Sequence, residues 1–275
     1  MADWSGGSNI TELSAVATTR RKYGQAAQEL AEAAARRAGI PCVPRERLSI
    51  PALREKYGVE NVLIAHSDEL RLATPTGEFF FHPNMAHLRL KNIRQGDGDR
   101  MSEVMQLRSG LRVLDCTLGI GADAIVESYG VGESGLVVAL EASPLIEAVV
   151  SYGLAHHVGE RADTTAAMRR IQTVCTQAID YLRAQPDDSF DIVYFDPMFR
   201  HPLLASEALN PLRAVADHDA ATTEMVAEAR RVARQRVVFK ENARSHEFAR
   251  LGFTVAPGSK YSKISYGVIE CGAAE

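Results

Sequence analysis

From residue 111 onward, short apolar runs alternate with amphipathic stretches. The runs predict strands at 111–115, 136–141, 171–175, 190–195 and 235–239, with helices between them. That rhythm predicts an α/β fold with a doubly wound, mostly parallel sheet. The end of the chain departs from it. Residues 253–256, the turn Pro257-Gly258-Ser259-Lys260, and residues 264–270 read as two strands with no room for a helix between them. An antiparallel hairpin therefore closes the sheet, giving seven strands.

Residues 14–95 follow a different pattern and predict a small N-terminal α/β unit. A strand at 15–19 precedes an Ala-rich helix at 25–38, which stops at Gly39-Ile40-Pro41. Ser49-Ile50-Pro51 opens a short helix, with Ser49 as its cap. Strands at 61–65, 70–73 and 78–81 follow, the last two joined by Thr74-Pro75-Thr76-Gly77. Helices at 85–93 and 101–107 flank the joint Gly96-Asp97-Gly98-Asp99. The predicted division is a flexible tail at 1–13, the small unit at 14–95 and a larger domain at 96–275.

Composition narrows the class. The chain has 275 residues, and 46% of them are hydrophobic, enough for a sizeable core. No run approaches the roughly 18 apolar residues that span a bilayer. The N-terminus lacks a basic start followed by an apolar core, so a secretory signal is not expected. Cys42, Cys116, Cys175 and Cys271 are widely spaced, which suits a reducing cytoplasm and predicts neither a metal site nor disulfides. The net charge of −4 argues against indiscriminate nucleic-acid binding. Residues 1–95 nevertheless hold 13 Lys/Arg against 10 Asp/Glu, which permits a basic face for a phosphate backbone.

The first predicted strand of the larger domain runs into Asp115-Cys116-Thr117-Leu118-Gly119-Ile120-Gly121-Ala122-Asp123-Ala124. Its glycines fit the dinucleotide pattern G-x-G-x-x-G/A. In nicotinamide proteins the first glycine follows the strand directly, with pyrophosphate on the helix N-terminus. Here an acid and a longer loop intervene. They suit a cofactor with an ammonium group and no phosphate, S-adenosylmethionine. Gly119 and Gly121 let the backbone approach it, and Asp115 is placed to meet its amino-acid moiety. Glu141 ends the next strand and is placed to accept hydrogen bonds from both ribose hydroxyls. After the third strand, either Thr176 or Gln177 is the candidate for the adenine amine.

The fourth strand ends in Asp196-Pro197-Met198-Phe199, at the edge where open α/β sheets bind ligands. An acid, a rigid proline and a ring suit a planar molecule that carries an amine. Asp196 and the Pro197 carbonyl can accept the amine hydrogens, and Phe199 can stack on the plane.

Together these motifs resemble class I S-adenosylmethionine-dependent methyltransferases over roughly residues 100–275. The resemblance implies a Rossmann-like methyltransferase fold, with cofactor contacts at Asp115, Thr117, Gly119, Gly121, Glu141 and Gln177. More narrowly, D-P-M-F and the turn Gly258-Ser259-Lys260 are similar to the bacterial 16S ribosomal RNA guanine-N2 methyltransferases. That likeness implies catalytic roles for Asp196, Pro197 and Phe199, with RNA as partner. Arg200-His201-Pro202-Leu203-Leu204 departs from that family's proline and basic segment. Other amines remain open as acceptors: DNA adenine, a protein glutamine or a small molecule. So does a non-catalytic RNA-binding module. A nicotinamide oxidoreductase fits least.

Other residues are ambiguous in sequence. His82 and Asn84 read as a structural histidine and a turn asparagine more than as cleft residues. Arg89, Lys91 and Arg94 fit either phosphate contacts or a solvated helix face. Lys240, after the fifth strand, fits either an RNA contact or a pair with an acid. Lys260 and Lys263 share that ambiguity, and Cys116 reads as packing.

Overall fold

A computed structural model describes residues 15–197, 211, 215–216, 220–259 and 262–272. A four-stranded sheet comes first. It has the order β1 (Ala15–Thr19), β2 (Asn61–Ala65), β3 (Leu70–Thr74) and β4 (Gly77–Phe80). β1 pairs parallel to β2, and the other pairs are antiparallel. α1 (Gln25–Ala38) lies between β1 and β2 in the chain and lays an alanine stripe, Ala27, Ala31, Ala34, Ala35 and Ala38, against the sheet. α2 (Ile50–Tyr57) begins as its sequence suggests, with Ser49 Oγ accepting from Ala52 N at 3.3 Å.

α3 (Asn84–Gln95) and α4 (Arg100–Met105) lead to the larger sheet. Its strands are β5 (Arg112–Asp115), β6 (Leu136–Glu141), β7 (Ile171–Cys175), β8 (Phe190–Phe195), β9 (Ala233–Asn242), β10 (Thr254–Val255) and β11 (Ile264–Glu270). Their order across the sheet is β10-β11-β9-β8-β5-β6-β7. β5 to β9 pair parallel, and β11 enters antiparallel between β9 and β10. The strand order reverses at β5, where β6 lies on one side and β8 on the other. Such a reversal opens a crevice at the carboxyl edge.

α5 (Ala122–Val131), α6 (Pro144–His156), α7 (Ala162–Arg170), α8 (Ala178–Ala184), α9 (Thr223–Val232) and α10 (Glu247–Leu251) cover the two faces. Alternating strand residues show this directly. Val113, Val137, Ala139, Ile192, Tyr194 and Val238 pack on the side of α5 and α6. Leu114, Val138, Leu140, Val193, Phe195, Val237 and Phe239 pack on the side of α8, α9 and α10. The first of these cores continues into the small sheet through Leu63, Leu72 and Phe79.

Arg37 and Phe81 fasten the N-terminal part to α6. Arg37 Nε of α1 donates to Glu147 Oε2 at 2.6 Å, and Thr173 Oγ1 of β7 donates to Glu147 Oε1 at 2.7 Å. Glu147 is fully buried. Phe81 lies so close to Gly153 that a Cβ there would overlap its ring.

The seven-stranded, doubly wound sheet and its closing hairpin match the sequence expectation. β9 is longer than the predicted 235–239. The apolar pattern ends at Phe239, but pairing with β11 carries the ladder on through Lys240, Glu241 and Asn242.

Candidate active site

Strand alternation decides which side chains meet at the carboxyl edge. Asp115 lies two residues after Val113, Asp196 two after Tyr194, and Lys240 two after Val238. All three therefore fall on the α5 side. β8 and β9 are in register at Phe195 and Phe239, which sets Lys240 level with Asp196. Asp123 reaches the same place from the first turn of α5.

Asp115 is fully buried. Its Oδ1 accepts from Thr117 N at 2.9 Å and from Thr117 Oγ1 at 3.3 Å. Its Oδ2 has no partner among the described residues. Burial pushes its carboxyl up to about 8, against the Thr117 N–H and with a contribution from Asp123 and Asp196.

The turn after Asp115 is tight. Gly121 N donates to Leu118 O at 2.7 Å, and Gly119 and Gly121 have φ of 49° and 77°. Glu141 crosses to this turn, accepting from Gly119 N at 3.1 Å and from Ser143 N at 2.9 Å. Thr176 N donates to Glu141 O at 3.0 Å, which brings the third strand's end alongside. Gln177 is exposed and stands at the start of α8. The cofactor residues expected from sequence thus share one edge.

Asp196 N donates to Thr117 Oγ1 at 2.7 Å. Lys240 Nζ lies 2.7 Å from Asp196 Oδ2 and 2.9 Å from Asp123 Oδ2. Tyr194 donates its hydroxyl to Asp123 Oδ2 at 2.8 Å, and Arg89 pairs with Asp123 Oδ1. Arg89 also forks onto Asp99 at 2.7 and 2.9 Å. Burial opposes the charge on Asp123, but Lys240 and Arg89 outweigh it and hold its carboxyl well below the usual range. Burial pushes Asp196 up to about 6, with Lys240 opposing and Asp123 assisting. Burial likewise works against the Lys240 ammonium, and Asp123 and Asp196 more than restore it.

Several ambiguities now resolve. Lys240 pairs with acids. Arg89 is neither a surface cation nor a phosphate contact, because Asp99 and Asp123 hold it below the surface. Lys91 and Arg94 line a groove of about 730 Å3 beside α3, with His87, Glu160 and Arg161. Asn84 lines the same groove, while His82 is exposed and packs edge-on to Phe80. Lys263 is exposed, and Cys116 is buried in the core of the α8 side. Phe199, Met198 and Lys260 lie outside the described residues. No group of His, Cys, Asp and Glu among the described residues could hold a metal ion, and no helix there is long and apolar enough to cross a membrane.

Sequence reasoning missed Asp123, Tyr194 and Arg89 as parts of the site. The signal for the first two was present. Asp123 opens the helix after the glycine turn, and Tyr194 lies two residues before Asp196, on the same side of its strand.

A reversed closing hairpin, an acid before the glycine turn and an acid ending β6 define a cofactor-dependent methyltransferase. A family model described as "Putative SAM-dependent methyltransferase" matches residues 59–257. The chain belongs to that family and is an S-adenosylmethionine-dependent methyltransferase. It is 39% identical over 216 residues to uncharacterized protein YpiP of Bacillus subtilis, covering 78% of this chain and 84% of that one. It is 30% identical over 167 residues to ribosomal RNA small subunit methyltransferase J of Pseudomonas syringae pv. syringae, covering 58% of this chain and 60% of that one. The fold is similar to a SAM-dependent methyltransferase of Neisseria gonorrhoeae. That crystal structure is 20% identical with a TM-score of 0.59, over 94% of this chain and 97% of that one.

Proposed function

We propose that this methyltransferase acts on an exocyclic amine of a nucleobase, guanine N2 of small-subunit ribosomal RNA. The observation that carries the reading is the bond from Asp196 N to Thr117 Oγ1, which ties the amine-accepting acid to the cofactor turn. The relatives named ribosomal RNA small subunit methyltransferase J support the RNA part.

The donor set fits S-adenosylmethionine. Asp115 Oδ2, buried and without a partner among the described residues, would accept from its ammonium. Glu141, already accepting two N–H donors, has the chemistry to accept ribose hydroxyls instead. Gly119 and Gly121 leave the turn bare, and Thr176 or Gln177 would meet the adenine edge. When bound, the cofactor supplies an electrophilic methyl group on a sulfonium.

The protein's part is orientation. An exocyclic amine is a poor nucleophile because its lone pair is delocalised into the ring. Asp196 and the Pro197 carbonyl would accept its two hydrogens, turning the lone pair toward the methyl group. Rate then comes from alignment and fixed dipoles. Phe199 would stack on the base, adding roughly 1–3 kcal/mol. The base must be unpaired or flipped to enter.

Residues 14–95 would help select the substrate. Lys91, Arg94 and Arg161 in the groove beside α3 are the cations we assign to RNA phosphates. An rRNA substrate implies work in the cytoplasm.

The test is nucleoside mass spectrometry of rRNA and tRNA from a strain lacking the gene. Loss of N2-methylguanosine from 16S rRNA, restored by the wild-type gene and not by Asp196→Ala, is the expected result. An unchanged RNA profile would overturn the RNA reading and leave another amine as acceptor.

A further inference from the structure

We propose that Lys240 is a positioning residue of the methyl-accepting site, fixing one oxygen of Asp196 so that the other faces the incoming amine. This rests on the reading of Asp196 as the amine acceptor.

The geometry is a clamp. Lys240 Nζ bonds Asp196 Oδ2 at 2.7 Å and Asp123 Oδ2 at 2.9 Å, so a single ammonium spans two carboxylates. Asp123 cannot turn away, because Tyr194 and Arg89 hold it as well. Arg89 is fixed in turn by Asp99, itself the cap of α4 through Ser102 N at 3.0 Å. Exposure rises along the chain of contacts. Asp123 is 11% exposed, Lys240 16% and Asp196 26%, so the clamp is rooted inside and opens at Asp196. The main chain of Asp196 is held separately by Thr117. With its backbone and Oδ2 both fixed, Asp196 has Oδ1, which takes no hydrogen bond among the described residues, for a substrate.

The charges around the clamp define its role. Asp115, Asp123, Glu127 and Asp196 stand near Lys240 and Arg89, with the Tyr194 and Tyr266 hydroxyls beside them. The acids hold Lys240 as an ammonium, so it cannot take a proton from the substrate. In the transfer, the amine lone pair forms the N–CH3 bond and the C–S electrons stay on sulfur. The surplus proton leaves the nitrogen for Asp196 Oδ1 and then for water. Lys240 keeps that carboxylate ionised and aimed.

The test uses small ribosomal subunits from a strain lacking the gene, with radiolabelled S-adenosylmethionine. Lys240→Met should lower kcat by about 100-fold, the scale of a mispositioned reacting group, while cofactor affinity is retained. Its acid limb should move to higher pH, since the cation that favours ionised Asp196 is gone. Lys240→Arg should keep the wild-type limb and recover part of kcat. Carboxyl NMR of the protein alone should show Asp196 titrating at higher pH in Lys240→Met than in wild type. Should the Met variant not fold, Lys240→Gln, neutral but polar, carries the same measurements. Wild-type kcat, limb and Asp196 titration in the neutral variants, with Asp196→Asn inactive, would overturn the role of Lys240 alone. An active Asp196→Asn would instead overturn the reading beneath it.

Discussion

Thr117 Oγ1 accepts the backbone N–H of Asp196 at 2.7 Å and donates to Asp115 Oδ1 at 3.3 Å. One hydroxyl therefore bridges the end of β5 and the end of β8. Thr117→Val keeps the shape and removes the bridge. It should cost about 1–3 kcal/mol, the range for leaving a buried polar group unpaired. Methyl transfer should fall with it, and Thr117→Ser should restore both. Urea unfolding and a transfer assay measure the two effects, and a Val variant indistinguishable from wild type would deny the bridge any role.

Glu141→Ala should weaken S-adenosylmethionine binding by roughly 10–100-fold, since hydrogen bonds to a charged group contribute about 1.5–3 kcal/mol. Calorimetric titration measures it. Unchanged affinity would remove the ribose assignment.

Asp196→Ala should abolish methyl transfer and leave cofactor affinity close to wild type. The same residue sets a pH dependence. Its carboxyl, pushed up to about 6, can take the amine's surplus proton only when ionised. Single-turnover rates should therefore be level above that pH and decline below it. A rate that stays level through pH 6 down to 5 would separate Asp196 from the chemistry.

Asp115 makes a prediction about stability. Its folded carboxyl, at about 8, lies above the ordinary value, so the folded protein holds a proton that the unfolded chain gives up near pH 4. The contribution is full below about pH 4 and is lost as pH rises toward 8. Asp115→Asn cannot titrate. The stability of the variant relative to wild type should therefore improve as pH rises from 5 to 8, read as the difference in urea midpoints. A constant difference across that range would contradict the shift.

Gly153→Ala should destabilise by about 1–3 kcal/mol, the usual cost of overpacking, because the Phe81 ring occupies the space a Cβ needs. Phe81→Leu in the same chain should relieve part of that cost. Denaturant unfolding of the single and double variants decides it.

The sequence made the succession of strands along the chain legible because buried strands read as apolar runs and the closing hairpin left no length for a helix. Asp115, Glu141 and Asp196 were legible because each acid sits where such a run stops. Lys240 was visible but undecided, since its partner depends on the register of β9 against β8, and no spacing along the chain encodes that. Arg89 read as surface because α3 carries cations at 89, 91 and 94. Only the packing of α3 against α5 shows that the first of them points inward. Phe81 appeared as one of three consecutive phenylalanines, and its fit to Gly153 joins residues far apart in the chain.

Phe81 and Arg89 together limit how this chain can be cut. Phe81 lies against Gly121 in the glycine turn as well as Gly153, and Arg89 pairs with Asp123 at the start of α5. A fragment beginning after Gly96 would keep every strand of the larger sheet but lose the cover of its glycine turn and the countercharge of Asp123. The seven-stranded sheet is therefore no transplantable cassette. A graft onto another N-terminal unit would have to bring a ring and a guanidinium to the same two places.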